Sequence, residues 1–141
     1  MRKLTLCSLF FAFCCVAFDQ AAPQWKVIKL VTLNHQTAAV SQTTLFTPTN
    51  PGFYRLSAYI SSAGSSQAIW TLSFSFNDLN GEPEQVGTTA ADGPCSPSLE
   101  FVFAPQPGVP VSYSVSPVGI EAGYYDVMFT IEQLQAGGSR R

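Results

Sequence analysis

His35 is the only imidazole in the 141-residue chain, and Cys95 is the only thiol beyond the first fifteen residues. A catalytic nucleophile needs a base beside it, so a serine-type triad would have to use His35, and a thiol nucleophile would have to pair Cys95 with it. His35 lies in Leu33-Asn34-His35-Gln36-Thr37, which reads as a polar turn, and no Gly-x-Ser-x-Gly elbow sets a serine opposite it. No recognisable spacing ties Cys95 to it. One His and one Cys also fall short of the three or four ligands that zinc takes. The richest run of oxygen ligands is Asp78-Leu79-Asn80-Gly81-Glu82-Pro83-Glu84, where Asp78, Asn80 and Glu82 alternate in a way that suits Ca²⁺. It lacks the glycine and the closing glutamate of an EF-hand loop, and an acidic hairpin tip is the simpler account. Glycoside hydrolysis needs two carboxylates on neighbouring inward faces, whereas Glu100, Asp126 and Glu132 fall on the polar phase of their segments. The expectation is a non-enzymatic chain with no cofactor, and a hydrolase built on His35 is a residual reading.

The elements that would position these residues are strands. Residues 69–77 alternate, with Trp70, Leu72, Phe74 and Phe76 on one side and Thr71, Ser73, Ser75 and Asn77 on the other, the pattern of a half-buried antiparallel strand. Tyr54, Leu56, Ala58 and Ile60 form a second stripe, Leu99, Phe101 and Phe103 a third, and Val111, Tyr113 and Val115 a fourth. Tyr125, Val127, Phe129 and Ile131 form the last, while residues 25–33 and 39–46 read as less regular strands and 85–89 as a short one. Asn80-Gly81 suits a hairpin between two of them, because both residue types tolerate positive φ. Eight short antiparallel strands predict an all-β fold, a two-sheet jelly-roll sandwich. A seven-stranded immunoglobulin-like sandwich is the rival, without the paired cysteines of antibody domains.

Aromatic side chains outside the apolar phase are the remaining candidates for function. Trp25, Phe53, Tyr59 and Tyr124 are out of phase with the expected core or near strand ends. Such residues suit a sugar-stacking platform or a subunit interface, and scattered exposure is the plain alternative.

Met1-Arg2-Lys3 followed by an apolar run to Phe18 reads as a secretion signal, too short to span a bilayer. Cleavage after Ala17 fits the small-residue rule better than cleavage after Ala22, which would leave Pro23 next to the cut. The domain division expected is therefore signal 1–17, β-sandwich 18–135 and flexible tail 136–141, in a secreted, periplasmic or cell-envelope protein. Lipid anchoring at Cys15 is disfavoured by the preceding Ala12-Phe13-Cys14. Loss of the leader would leave Cys95 alone, either a loop thiol or half of a bridge between chains. It would also leave five basic residues against nine acidic ones, with no Lys or Arg between Arg55 and Arg140. Such a surface repels nucleic acid and anionic membranes.

Phe46-Thr47-Pro48 followed by Pro51-Gly52-Phe53-Tyr54 and the strand at 55–60 resembles the Pro-Gly-x-Tyr strand of C1q and tumour-necrosis-factor-like jelly rolls. Gly123-Tyr124-Tyr125-Asp126-Val127-Met128-Phe129 is similar in placement to their final strand. The chain also resembles a loosely defined set of small bacterial and phage β-sandwich proteins, through Thr43-Thr44-Leu45-Phe46-Thr47-Pro48, Gly52-Phe53-Tyr54-Arg55 and Tyr125-Asp126. The resemblance implies a trimer-forming jelly roll used for recognition or as a cap on a longer assembly. The resulting expectation is an exported binding or assembly module, a homotrimer with a protein or glycan ligand. A carbohydrate-binding β-sandwich, helped by calcium at the Asp78 hairpin, is the alternative.

Overall fold

The computed structural model describes residues 22–64, 69–91, 98–118 and 123–136. The expected signal segment, Cys95 and residues 137–141 of the expected tail lie outside them. The eight strands are β1 (Gln24–Gln36), β2 (Val40–Phe46), β3 (Tyr54–Ala63), β4 (Ile69–Asn77), β5 (Pro83–Ala91), β6 (Ser98–Phe103), β7 (Val111–Val118) and β8 (Tyr124–Gln135). Several of them outrun the sequence pattern, β3, β7 and β8 at their ends and two others more tellingly. β5 extends to nine residues, and β1 carries on through the stretch that reads as a turn around His35. The cause at His35 is a bulge: pairing passes from Leu33↔Val127 to Gln36↔Tyr125, and His35 absorbs the irregularity at φ 51. Histidine is among the residues that tolerate this region, and its amide donates to Asp126 Oδ1 at 2.6 Å.

The pairing is nested. β4 pairs with β5, β3 with β6, β2 with β7 and β1 with β8, all antiparallel, around the β4–β5 hairpin at the centre. Two further ladders, β3 with β8 and β4 with β7, roll this long double ribbon into two sheets of order β1-β8-β3-β6 and β2-β7-β4-β5. That order is the jelly roll, and it excludes the seven-stranded alternative. The central hairpin turns through Leu79-Asn80-Gly81, with Asp78 N donating to Glu82 O at 2.9 Å and Gly81 N to Asp78 O at 3.0 Å. Only Gly81 takes positive φ (88°), so Asn80 does not use the freedom its type allows and the loop is the three-residue form closed by glycine.

The alternating stripes meet between the sheets. Tyr54, Leu56, Ala58 and Ile60 of β3 and Tyr125, Val127, Phe129 and Ile131 of β8 are buried against Trp70, Leu72 and Phe74 of β4 and Val111, Tyr113 and Val115 of β7. Phe74 meets Phe129 edge-on at 5.0 Å, Tyr113 meets it at 5.1 Å, and Trp70 packs on Tyr125 at 4.5 Å. Full burial of each large side chain contributes about 1.5–3 kcal/mol. The Tyr125 hydroxyl donates to Ala38 O at 2.9 Å, which fastens the β1–β2 connection to β8.

At one end the connections are bonded together. Gln106 N donates to Asn77 O at 2.8 Å and Gly108 N to Pro48 O at 2.8 Å, tying the β6–β7 loop to both the central hairpin and the β2–β3 loop. The open edges are blunted. β1 carries Lys26 and Lys29 with register shifts beside them, β6 has six residues, and β5 begins at Pro83. Charge, brevity, bulges and proline each discourage the addition of a stray strand.

Candidate functional site

Because side chains alternate, the residues opposite the core stripe of each sheet form its outer face. On the β1-β8-β3-β6 sheet the ladder aligns them in rows. One row reads Val27, Glu132, Arg55, Val102; the next Leu30, Thr130, Ser57, Glu100; the next Thr32, Met128, Tyr59, Ser98. Trp25 faces Leu134, whose amide donates to Phe53 O at 2.9 Å, so Trp25, Leu134 and Phe53 cap the rows at one end. Tyr124 closes the other end, with its ring 3.8 Å from that of His35. The four aromatics singled out from sequence, Trp25, Phe53, Tyr59 and Tyr124, thus lie on one face of one sheet.

That face is the apolar exterior of the molecule. Val27, Leu30, Phe53, Tyr59, Val102 and Met128 belong to it and are 39–59% exposed. A depression of about 180 Å³ lies between Tyr59 and Met128, bordered by Ser57 and Thr130. In the row next to the Trp25 end of the face Arg55 pairs with Glu132, Nε at 2.6 Å and Nη2 at 2.5 Å from the same oxygen, and the guanidinium lies 5.0 Å from the Trp25 ring centre. Trp, Tyr, Met and Arg are the types enriched in protein interfaces and their energetic centres.

The opposite exterior has another chemistry. On the β2-β7-β4-β5 sheet the outward residues are mostly small and polar, Thr71, Ser73, Ser75 and Asn77 of β4, Thr89, Gly87 and Gln85 of β5, and Ser112, Ser114 and Ser116 of β7, with the apolar pair Ile69 and Val118 at one end. Hydroxyl meets hydroxyl between Thr71 and Thr89 at 3.0 Å, and Gln42 Nε2 donates to Ser75 Oγ at 3.1 Å. A groove of about 520 Å³ runs over Thr44, Ser75 and Ser112. No residue in it was a candidate from sequence. The signal was present in the Thr71-Ser73-Ser75 and Ser112-Ser114-Ser116 alternation, which marks a solvated face without saying that the face is concave.

The acidic hairpin is built for its own turn. Asp78 Oδ1 accepts from the amides of Asn80 at 2.8 Å and Glu82 at 2.9 Å, and Oδ2 accepts from Asn80 Nδ2 at 3.1 Å. The Glu82 amide above all, and then the Asn80 donors, hold the Asp78 carboxyl below the usual carboxylate range. Its oxygens thus serve the chain's own donors, and Asn80 turns its amide nitrogen toward them. Among the described residues no three His, Cys, Asp or Glu side chains are grouped to hold a metal ion. Glu132 is engaged by Arg55, Asp126 by His35, and Glu100 is exposed at the β6 edge. No helix among the described residues is long and apolar enough to cross a membrane.

Comparison with known proteins matches no family model and no curated sequence. Among solved structures the chain is similar to a chain of the disulfide-linked pili of Bacillus endospore appendages, at 14% identity and TM-score 0.43, covering 86% of this chain and 96% of that one. It is also similar to the CBM22-1 xylan-binding domain of Paenibacillus barcinonensis Xyn10C, at 17% identity and TM-score 0.40, covering 84% and 92%. A third likeness is to the CBM22-1 and GH10 modules of Clostridium thermocellum Xyn10B, at 9% identity and TM-score 0.38, covering 84% of this chain and 25% of that one. The jelly-roll assignment rests on the strand order of the two sheets.

Proposed function

We propose that this chain is an exported, non-catalytic assembly module whose copies dock through the outer face of the β1-β8-β3-β6 sheet. The observation that carries the reading is the contrast between the two exteriors. One gathers Trp25, Phe53, Tyr59, Tyr124 and Met128 with exposed aliphatics, and the other presents mainly hydroxyls, with Ile69 and Val118 its apolar exception at one end. A free monomer would gain nothing from concentrating its large apolar side chains on one side, whereas association buries them.

The occupant proposed is a second copy of the chain, because the two edges of that sheet differ in charge. β1 carries Lys26 and Lys29, the only lysines after residue 3, and β6 carries Glu100. A contact in which this face packs on a neighbour, with the basic edge of one copy beside the acidic edge of the next, is head-to-tail, and such contacts form a ring where the rotation between copies closes and a filament where it does not. A homotrimer, as the C1q-like resemblance implies, is the ring this reading favours. Light scattering on the chain without residues 1–17 tests it. The expected mass is three protomers at micromolar concentration, falling to one in Tyr59→Lys. A strict monomer at every concentration would falsify the proposal.

A further inference from the structure

The groove on the β2-β7-β4-β5 exterior has no part in the assembly reading. Its volume, about 520 Å³, lies within the range of roughly 300–1,000 Å³ typical of small-ligand sites. Gln42 and Thr44 of β2, Ser75 and Asn77 of β4 and Ser112 of β7 line it with neutral groups, most of which both donate and accept hydrogen bonds. The bond from Gln42 Nε2 to Ser75 Oγ at 3.1 Å fixes two of them in place and leaves the Gln42 carbonyl oxygen and the Ser75 proton for a ligand. Pro83, Val109 and Pro110 supply apolar surface next to these groups. Glu84 is the one charged residue in the lining, and no Lys or Arg joins it.

Each feature narrows the ligand. A phosphate or a polyanion finds no cation there and meets a carboxylate. A peptide strand cannot add at the groove floor, because β4 is paired on both sides, Ser75 with Gln85 and with Ser112, and Ser112 is paired in turn with Thr44. What remains is a ligand bound through side chains alone, uncharged, rich in groups that donate and accept, with C–H faces to lay on Pro83, Val109 and Pro110. We propose that the groove binds a short segment of a neutral glycan.

Calorimetric titration of the chain without residues 1–17 with cellohexaose, mannohexaose, maltohexaose and chitohexaose tests this, with hexagalacturonate as the anionic counterpart. Saturable binding of at least one neutral hexasaccharide is expected. Gln42→Leu, at an exposed residue, and Ser75→Val, which keeps a strand-compatible shape, should each weaken it about tenfold, the loss of one or two well-placed hydrogen bonds. Met128→Lys on the opposite exterior should leave the affinity unchanged even if it disperses the assembly, so the two proposals fail separately. Absence of saturable binding across the panel at millimolar concentration, equal affinity in both groove variants, or a preference for hexagalacturonate would each overturn the assignment.

Discussion

Arg55 stands between fold and function, since it joins β3 to β8 through Glu132 and supports Trp25 on the proposed interface. The side chains of the pair are 32% and 18% exposed, so solvent screens part of the attraction and the coupling belongs at about 0.5–1 kcal/mol, the upper half of the range for surface pairs. Contact with the Trp25 ring adds about 0.5–1 kcal/mol. Arg55→Met keeps most of the aliphatic stem while removing both contacts, and it leaves Glu132 without its cation. Its expected cost is about 1–2 kcal/mol, a fall of about 4–8 °C in Tm for a domain of this size. Glu132→Gln removes the charge but not the Trp25 contact and should cost about 1 kcal/mol. The double variant should cost less than the sum of the two by about 0.5–1 kcal/mol, and this difference should shrink in 1 M salt, where the Debye length is about 3 Å. Urea denaturation of the four proteins, run on dilute samples so that association does not contribute, provides the cycle. Strict additivity at low salt, or a coupling indifferent to salt, would refute the placement of Arg55.

Other consequences follow from single positions. Asp78 has a folded pKa below its unfolded value, so its stabilisation is present above about pH 4 and is lost as pH falls through the depressed folded value; Asp78→Asn should flatten the acid limb of a Tm-against-pH curve. An unchanged acid limb would separate the carboxylate from hairpin stability. Burial above all, and then the neighbouring Tyr113, push the Tyr125 hydroxyl up, so stability is intact below about pH 10 and falls as pH rises from there through the raised folded value. Tyr125→Phe should cost about 1 kcal/mol at neutral pH through the lost bond to Ala38 and should reduce the alkaline decline, leaving the share due to Tyr54, also raised by burial. In Gly87→Ala the new Cβ would sit 2.8 Å from the Leu72 carbonyl oxygen and 3.2 Å from Ser73 Oγ, so the β4–β5 ladder must yield at about 1–3 kcal/mol. Faster hydrogen exchange confined to β4 and β5 is the expected signature, and wild-type exchange would contradict it.

The sequence made the strands legible because each sheet has one dry face, so that Trp70, Leu72, Phe74 and Phe76 had to alternate with hydroxyls. It was less informative where a strand lies at an edge. β1 packs weakly, its exposed residues run together from Lys26 to Leu30, and the bulge at His35 hides the last pairs behind what reads as a turn. Nesting was not visible either, since β1 meets β8 only after the whole chain has been laid down, and no local pattern encodes that partner. The four out-of-phase aromatics could be picked out one at a time. That they share a face follows only from the register, which sets Tyr59 opposite Met128 and Trp25 opposite Leu134. The groove escaped notice because serine and threonine carry the same pattern on a flat solvated face as on a concave one.

Met128 offers the most direct test of the assembly claim, since it is 52% exposed at the centre of the proposed interface and Met1 is the only other methionine in the chain. In the chain without residues 1–17 the rate of peroxide oxidation, read by mass spectrometry of the peptide that holds residue 128 and so apart from oxidation at Cys95, reports on this one side chain. The account predicts rapid oxidation in dilute solution and marked protection at concentrations where light scattering shows the trimer, with Tyr59→Lys abolishing the protection. Equal rates at all concentrations, with the chain associated in each, would place the contact elsewhere and contradict the account.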